Sequence, residues 1–92
     1  IKSFRCKETQ KIFSRRFSRK LPQDIQGKQG KKLVFLDAAT DLNDLRIPPG
    51  NRLEELKKDR KSQHSIRINN QWRICFVWKD GDAFQVEITD YH

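Results

Sequence analysis

The run His64-Ser65-Ile66-Arg67-Ile68-Asn69-Asn70-Gln71-Trp72-Arg73-Ile74-Cys75-Phe76-Val77-Trp78 decides the fold. In its first arm Ile66 and Ile68 fall on one face, and Ser65 and Arg67 on the other. In its second arm Ile74, Phe76 and Trp78 share a face, while Arg73, Cys75 and Val77 share the opposite one. A period of two is the signature of a strand, because successive Cβ atoms point to opposite sides. Asn69-Asn70-Gln71 between the arms reads as a hairpin turn. Downstream, Asp80-Gly81 supplies the residues that a two-residue hairpin turn requires, and Ala83 to His92 follows as a further strand.

Upstream of this run the period changes. Ile1 to Phe4 is short, with apolar residues at both ends, and is a candidate edge strand. Ile12, Phe13 and Phe17, set among Arg15, Arg16 and Arg19, predict a helix from about Cys6 to Arg19. Leu21-Pro22 ends it, since a residue before proline avoids the α region. Pro22 then opens a second helix, where its missing N–H is not needed. Ile25, Leu33, Leu36 and Ala39 form the buried stripe of that helix, and Gly27 and Gly30 each weaken its first half by about 1 kcal/mol relative to Ala. The pattern breaks from Thr40 to Asn51, with Pro48-Pro49-Gly50-Asn51 as a turn signal. Leu56 to Arg60 reads as a short strand. The expectation is one α+β domain over residues 1–92, with a short N-terminal strand, two helices and a twisted antiparallel sheet of three to four strands.

Ninety-two residues can bury one modest core. The formal net charge is +8, which favours polyanionic partners: nucleic acid first, an acidic protein segment second and an anionic membrane surface third. Eleven Lys or Arg lie within residues 1–35 against Glu8 and Asp24, a block that reads mostly as solvated helix faces. No run of about 20 apolar residues exists to span a bilayer. The opening Ile1-Lys2-Ser3-Phe4-Arg5 lacks the apolar stretch of a secretion signal, so a cytoplasmic location is expected. Two cysteines, Cys6 and Cys75, are too few for a disulfide framework and read as reduced thiols.

There is no phosphate-cradling glycine loop, no CxxC and no histidine pair at metal-ligand spacing, so neither a metal nor any other cofactor is expected. What remains suits a phosphodiester. Lys57, Arg67 and Arg73 lie on predicted strands, and Asp90, Tyr91 and His92 end the last one. Cutting RNA by its own 2′-OH needs a base for that hydroxyl, a cation for the phosphorane charge and an acid for the 5′-oxygen. Arginine suits the second task, because its planar fork matches phosphate oxygens and stays charged. Histidine or a carboxylate suits the proton transfers. Composition alone favours the plainer roles: mid-strand arginines solvated on an outer face, Trp72 and Trp78 packed in or beside the core, and Cys75 a small core residue.

Three stretches carry a resemblance to a known family. They are Pro48-Pro-Gly-Asn-Arg-Leu-Glu-Glu-Leu-Lys-Lys-Asp-Arg60, His64 to Trp78, and Val86-Glu-Ile-Thr-Asp-Tyr-His92. Together they resemble the HigB branch of the RelE toxins, and Ile1-Lys-Ser-Phe4 matches the usual opening. The likeness spans the chain and is specific from about Pro48 onward. It implies a RelE-like fold and a toxin that enters the A site of the 30S ribosome and cuts mRNA there without a metal, leaving a cyclic phosphate. Asp90, Tyr91 and His92 match the family's terminal functional residues, Arg73 its phosphate-contacting arginine and Lys57 its strand lysine. The position of Arg67 varies among relatives. Glu54 falls where some members carry a catalytic histidine, so either Glu54 replaces that base or His92 and Asp90 do the proton work.

The resemblance also implies a HigA-like antitoxin with a helix-turn-helix domain, through which alone the toxin would meet operator DNA. Two other functions stand beside it. The related ParE branch poisons gyrase with the same fold, and a non-catalytic module would bind RNA or ribosomes through the same basic residues.

Overall fold

A computed structural model describes residues 1–56 and 63–90. It begins with α1 (Lys7–Phe13) and α2 (Gln26–Ala38), the latter preceded by a 3₁₀ turn at Gln23–Ile25. Two further 3₁₀ turns, Leu42–Arg46 and Pro49–Asn51, lead into a sheet of β1 (Glu54–Glu55), β2 (Gln63–Arg67), β3 (Trp72–Lys79) and β4 (Asp82–Asp90). The strands form an antiparallel meander in sequence order, so the expected α+β architecture is present with four strands. A short strand β1 lies at Glu54–Glu55, and of the strand predicted at Leu56–Arg60 all but Leu56 lies outside the described residues.

The sheet register follows the alternation. Ile66, Ile74 and Ile88 stand in a row across β2, β3 and β4, all on the face that meets Ile12 of α1 and Leu33 and Leu36 of α2. These side chains are all but sealed from solvent. Burial of each contributes about 1.5–3 kcal/mol relative to exposure. The opposite face carries two rows, Glu54–Ser65–Cys75–Glu87 and Arg67–Arg73–Thr89. At the β3–β4 turn Asp80 and Gly81 have φ of 53° and 75°, the left-handed pair of the predicted two-residue hairpin. Gln85, at φ 52°, marks a bulge where the register slips between Cys75 and Val77.

The N-terminal segment runs parallel to β4 and covers its outer edge. Lys2 N–H donates to Ala83 at 2.8 Å, Arg5 N–H to Val86 at 3.0 Å, and Val86 N–H back to Ser3 at 3.1 Å. It forms a single bridge, Phe4 to Val86, in place of a full strand. Farther along, Ile88 N–H donates to the buried hydroxyl of Thr9 on α1 at 2.9 Å. An edge that would otherwise offer unpaired amides is thereby closed.

The first helix is shorter than predicted. It stops at Phe13, where Ser14 caps it and Arg15 enters the left-handed region at φ 62°. Arg16 N–H reaches back to Lys11 at 2.7 Å and Arg15 N–H to Ile12 at 3.1 Å, the paired bonds of a Schellman ending with arginine at the usual glycine position. Phe17 is therefore off the helix and 56% exposed. The chain beyond it is tied down at Ser18, whose hydroxyl donates to Glu8 at 2.6 Å, and the Gln26 amide brackets the Ser18 backbone. The second helix agrees more closely. Its predicted stripe buries Leu33, Leu36 and Ala39, with Ile25 packed at the margin. A buried Gln29 joins that stripe, which no apolar pattern signals.

Cys6 and Cys75 are free thiols, the latter buried as expected, and Trp72 and Trp78 pack into or against the core. Among the described residues no helix is long and apolar enough to cross a membrane.

Candidate active site

Arg73 is the centre of the sheet face turned away from the helices. Its position on β3 follows from the alternation, but its surroundings do not. The sequence pattern predicts an outward, solvated arginine, whereas the side chain is only 8% exposed. Its Nε donates to the Ser65 hydroxyl at 2.8 Å, and one terminal nitrogen donates to the Arg52 carbonyl at 2.6 Å and the Ser65 carbonyl at 3.3 Å. Burying a cation without such partners is costly, so these three oxygens fix the guanidinium plane. The sequence gives two of them indirectly. A hairpin centred on Asn69–Gln71 pairs Arg67 with Arg73 and sets Ser65 two residues away on the same face. The Arg52 carbonyl comes from the loop before β1, where Arg52 is left-handed at φ 45°.

Glu54 is the carboxylate beside this arginine. β1 pairs Glu54 with Ser65, which brings Glu54 Oε2 to 3.9 Å from the Arg73 terminal nitrogen. That distance is beyond a hydrogen bond, and Glu54 is half exposed. Arg67 stands opposite Arg73 on β2. Two like charges in register repel. Arg67 turns to the hairpin instead, where Nε donates to the Asn69 carbonyl at 3.1 Å and a terminal nitrogen donates to the Asn70 side chain. Asn69 shapes the same turn by accepting from Gln71 N–H at 2.9 Å and Trp72 N–H at 2.8 Å. Arg52, Glu54, Arg67, Asn69, Asn70 and Arg73 line a cleft of about 260 Å³.

The structure thus brings Arg73, Glu54 and Arg67 together. Asp90 is paired in register with Trp72, while Arg73 is paired with Thr89, so Asp90 belongs to the other side of the sheet. Its link to the cleft runs through the hairpin, where Gln71 Nε2 donates to its carboxylate at 3.1 Å. Lys57, Tyr91 and His92 lie outside the described residues. Residues that the sequence did not single out are Ser65, Arg52, Asn69 and Asn70. Thr89 also belongs here, with a buried hydroxyl in register with Arg73 and no partner among the described residues.

Chemically, the cleft offers a fixed guanidinium at its wall and an adjustable carboxylate at its mouth. The first can hold a phosphate oxygen, and the second can take a proton from a neighbouring hydroxyl. Among the described residues no cluster of three or more His, Cys, Asp or Glu is arranged to hold a metal ion. A larger groove of about 630 Å³ lies between the helices, walled by Ile12, Phe13, Phe17 and Val34, and contains none of these side chains.

Comparison with known proteins places nearly the whole chain in one family. Residues 2–92 match the family model described as the RelE-like toxin of type II toxin-antitoxin system HigB. Toxin HigB-1 of Vibrio cholerae is 49% identical over 73 residues, covering 79% of this chain and 77% of the relative. Endoribonuclease HigB of Proteus vulgaris is 32% identical over 92 residues, covering 100% of this chain and 99% of the relative. An uncharacterized protein of Haemophilus influenzae is 33% identical over 64 residues, covering 70% of this chain and 63% of the relative.

Proposed function

The chain belongs to the RelE-like HigB toxins of type II toxin-antitoxin systems, and from that premise we propose that it cuts messenger RNA in the ribosomal A site. The observation that carries the chemistry is the Arg73 guanidinium, fixed by Ser65 and the Arg52 carbonyl, with the Glu54 carboxylate 3.9 Å away.

In this reading Arg73 holds a non-bridging oxygen of the phosphate to be cut and meets the charge of the phosphorane. Glu54 accepts the proton of the adjacent ribose 2′-OH. The 2′-oxygen then bonds to phosphorus, the bond from phosphorus to the 5′-oxygen breaks, and that oxygen takes a proton from His92. The products are a 2′,3′-cyclic phosphate and a 5′-hydroxyl. Lys57 and Arg67 contribute positive charge, Tyr91 stacks on a base or positions the ribose, and Asp90 accepts from Gln71 of the hairpin. Such an enzyme acts in the cytoplasm.

A type II system implies an antitoxin partner. We take it to be a HigA-like protein with a helix-turn-helix domain, through which the pair would reach operator DNA.

The test is growth arrest on induction. Wild type arrests growth, and Arg73→Ala and His92→Ala do not. Full toxicity of both variants would remove this assignment of the site. Inhibition of gyrase supercoiling at low toxin concentration would instead favour a ParE-like action.

A further inference from the structure

The Arg73 cleft does not end at Arg67. Arg67, Asn69 and Asn70 also line an adjoining cleft of about 440 Å³, which is completed by Lys28 and Lys32 of α2 with Pro48, Gly50 and Ile68. Lys28 and Lys32 are one helical turn apart on the same side of α2, an arrangement of like charges that works against the helix. Lys32 donates to the side-chain oxygen of Asn51, a fully buried amide that itself donates to the Leu45 and Ile47 carbonyls at 3.4 Å. Partial burial, and then the charge of Lys28, hold the Lys32 ammonium below the usual lysine range. Arg67 is likewise held by neutral groups, the Asn69 carbonyl and the Asn70 side chain. Among the described residues no carboxylate pairs with any of these three cations.

Three positive groups face one concavity, and two of them are bound by partners that orient them without cancelling their charge. We infer that this cleft is a second phosphate subsite, which takes the backbone of the nucleotides flanking the phosphate held at Arg73. Arg67, Asn69 and Asn70 line both clefts, so a strand of RNA that rounds the hairpin tip would meet both. The inference rests on the RNA-cleavage reading for the identity of the strand, and on the clefts themselves for the site.

The experiment measures binding of wild-type toxin to a fluorescent 2′-O-methyl oligoribonucleotide, whose blocked 2′-oxygens prevent cleavage, over a range of salt. Lys28→Gln is compared with Lys31→Gln. Both positions are exposed and on the same helix, but Lys31 lines the apolar groove instead. Loss of one phosphate contact lowers the slope of log affinity against log salt by about 0.7 for a single strand. Lys28→Gln is expected to show that loss and Lys28→Glu a larger one, while Lys31→Gln keeps the wild-type slope. Equal effects of Lys28→Gln and Lys31→Gln would overturn the subsite, as would absent wild-type binding at low salt. If Arg73→Ala still cut message in cells while the Lys28 effect held, the assignment of the cutting site would fail and the subsite would stand.

Discussion

Arg73 Nε donates to the hydroxyl of Ser65 at 2.8 Å, across two neighbouring strands and on the side of the sheet away from the helices. The bond turns a cation that strand alternation would leave in water into a fixed, almost buried fork. Ser65 also offers its carbonyl to the same guanidinium, at 3.3 Å. Ser65→Ala removes the hydroxyl that accepts from the Nε of this buried cation. The expected cost is about 1–3 kcal/mol. Urea unfolding of the two proteins would read it as a lower midpoint at unchanged slope. Cleavage should fall as well, because the fork is no longer held in one plane.

Arg73→Lys is expected to abolish toxicity while leaving a folded protein. Lysine keeps the charge but cannot span Ser65, the Arg52 carbonyl and a phosphate together. Growth arrest on induction, with circular dichroism of the purified variant, separates lost function from lost fold.

Glu54 is half exposed and out of hydrogen-bond reach of Arg73, so its carboxylate carries little of the fold. Glu54→Gln is therefore expected to leave the free energy of unfolding within about 0.5 kcal/mol of wild type. If Glu54 is the base, single-turnover cleavage on programmed ribosomes should drop by about 10²–10⁴-fold. Unchanged cleavage would transfer that role to the C-terminal residues.

How much of this was legible in the sequence differs between elements. The order β2–β3–β4 and the β2–β3 pairing were legible because alternation, the Asn69–Gln71 turn and Asp80-Gly81 agree, whereas the bulge at Gln85, where the β3–β4 register slips between Cys75 and Val77, was not. The end of α1 was not. Phe17 has helical spacing, yet the helix stops four residues earlier through an arginine in the left-handed region, which nothing in the local sequence requires. The burial of Arg73 was not legible either, since the covering carbonyl of Arg52 comes from a loop 21 residues away. Glu54 entered through family likeness, and its proximity to Arg73 depends on the two-residue strand β1, too short to announce itself by pattern.

Gly81 has φ 75°, and a Cβ added there would come to 3.4 Å from the Thr40 carbonyl. Gly81→Ala is expected to cost about 1–2 kcal/mol for the left-handed backbone, with a correspondingly lower melting temperature. Cleavage at a permissive temperature should be unchanged, because the β3–β4 turn lies apart from the lining of the Arg73 cleft.

Glu8 has a carboxyl held below the usual range, first by the hydrogen bond from Ser18 and then by Lys11 at 3.3 Å, with Lys20 adding a weaker attraction. A depressed folded pKa contributes stability that is present above the unfolded carboxylate value of about 4.3 and is lost as pH falls through the folded value. The wild-type melting temperature should therefore fall more steeply with acid below about pH 4 than that of Glu8→Gln. Parallel curves for the two proteins would mean that the Ser18–Glu8 bond does not couple to folding.

Primer extension after brief induction shows whether mRNA is cut on the ribosome. The reporter carries one translated reading frame and an otherwise identical copy without a start codon. Cuts are expected within the translated frame only, and none in Arg73→Ala. Cuts of equal strength in both copies, or an intact message in arrested cells, would contradict cleavage on the ribosome.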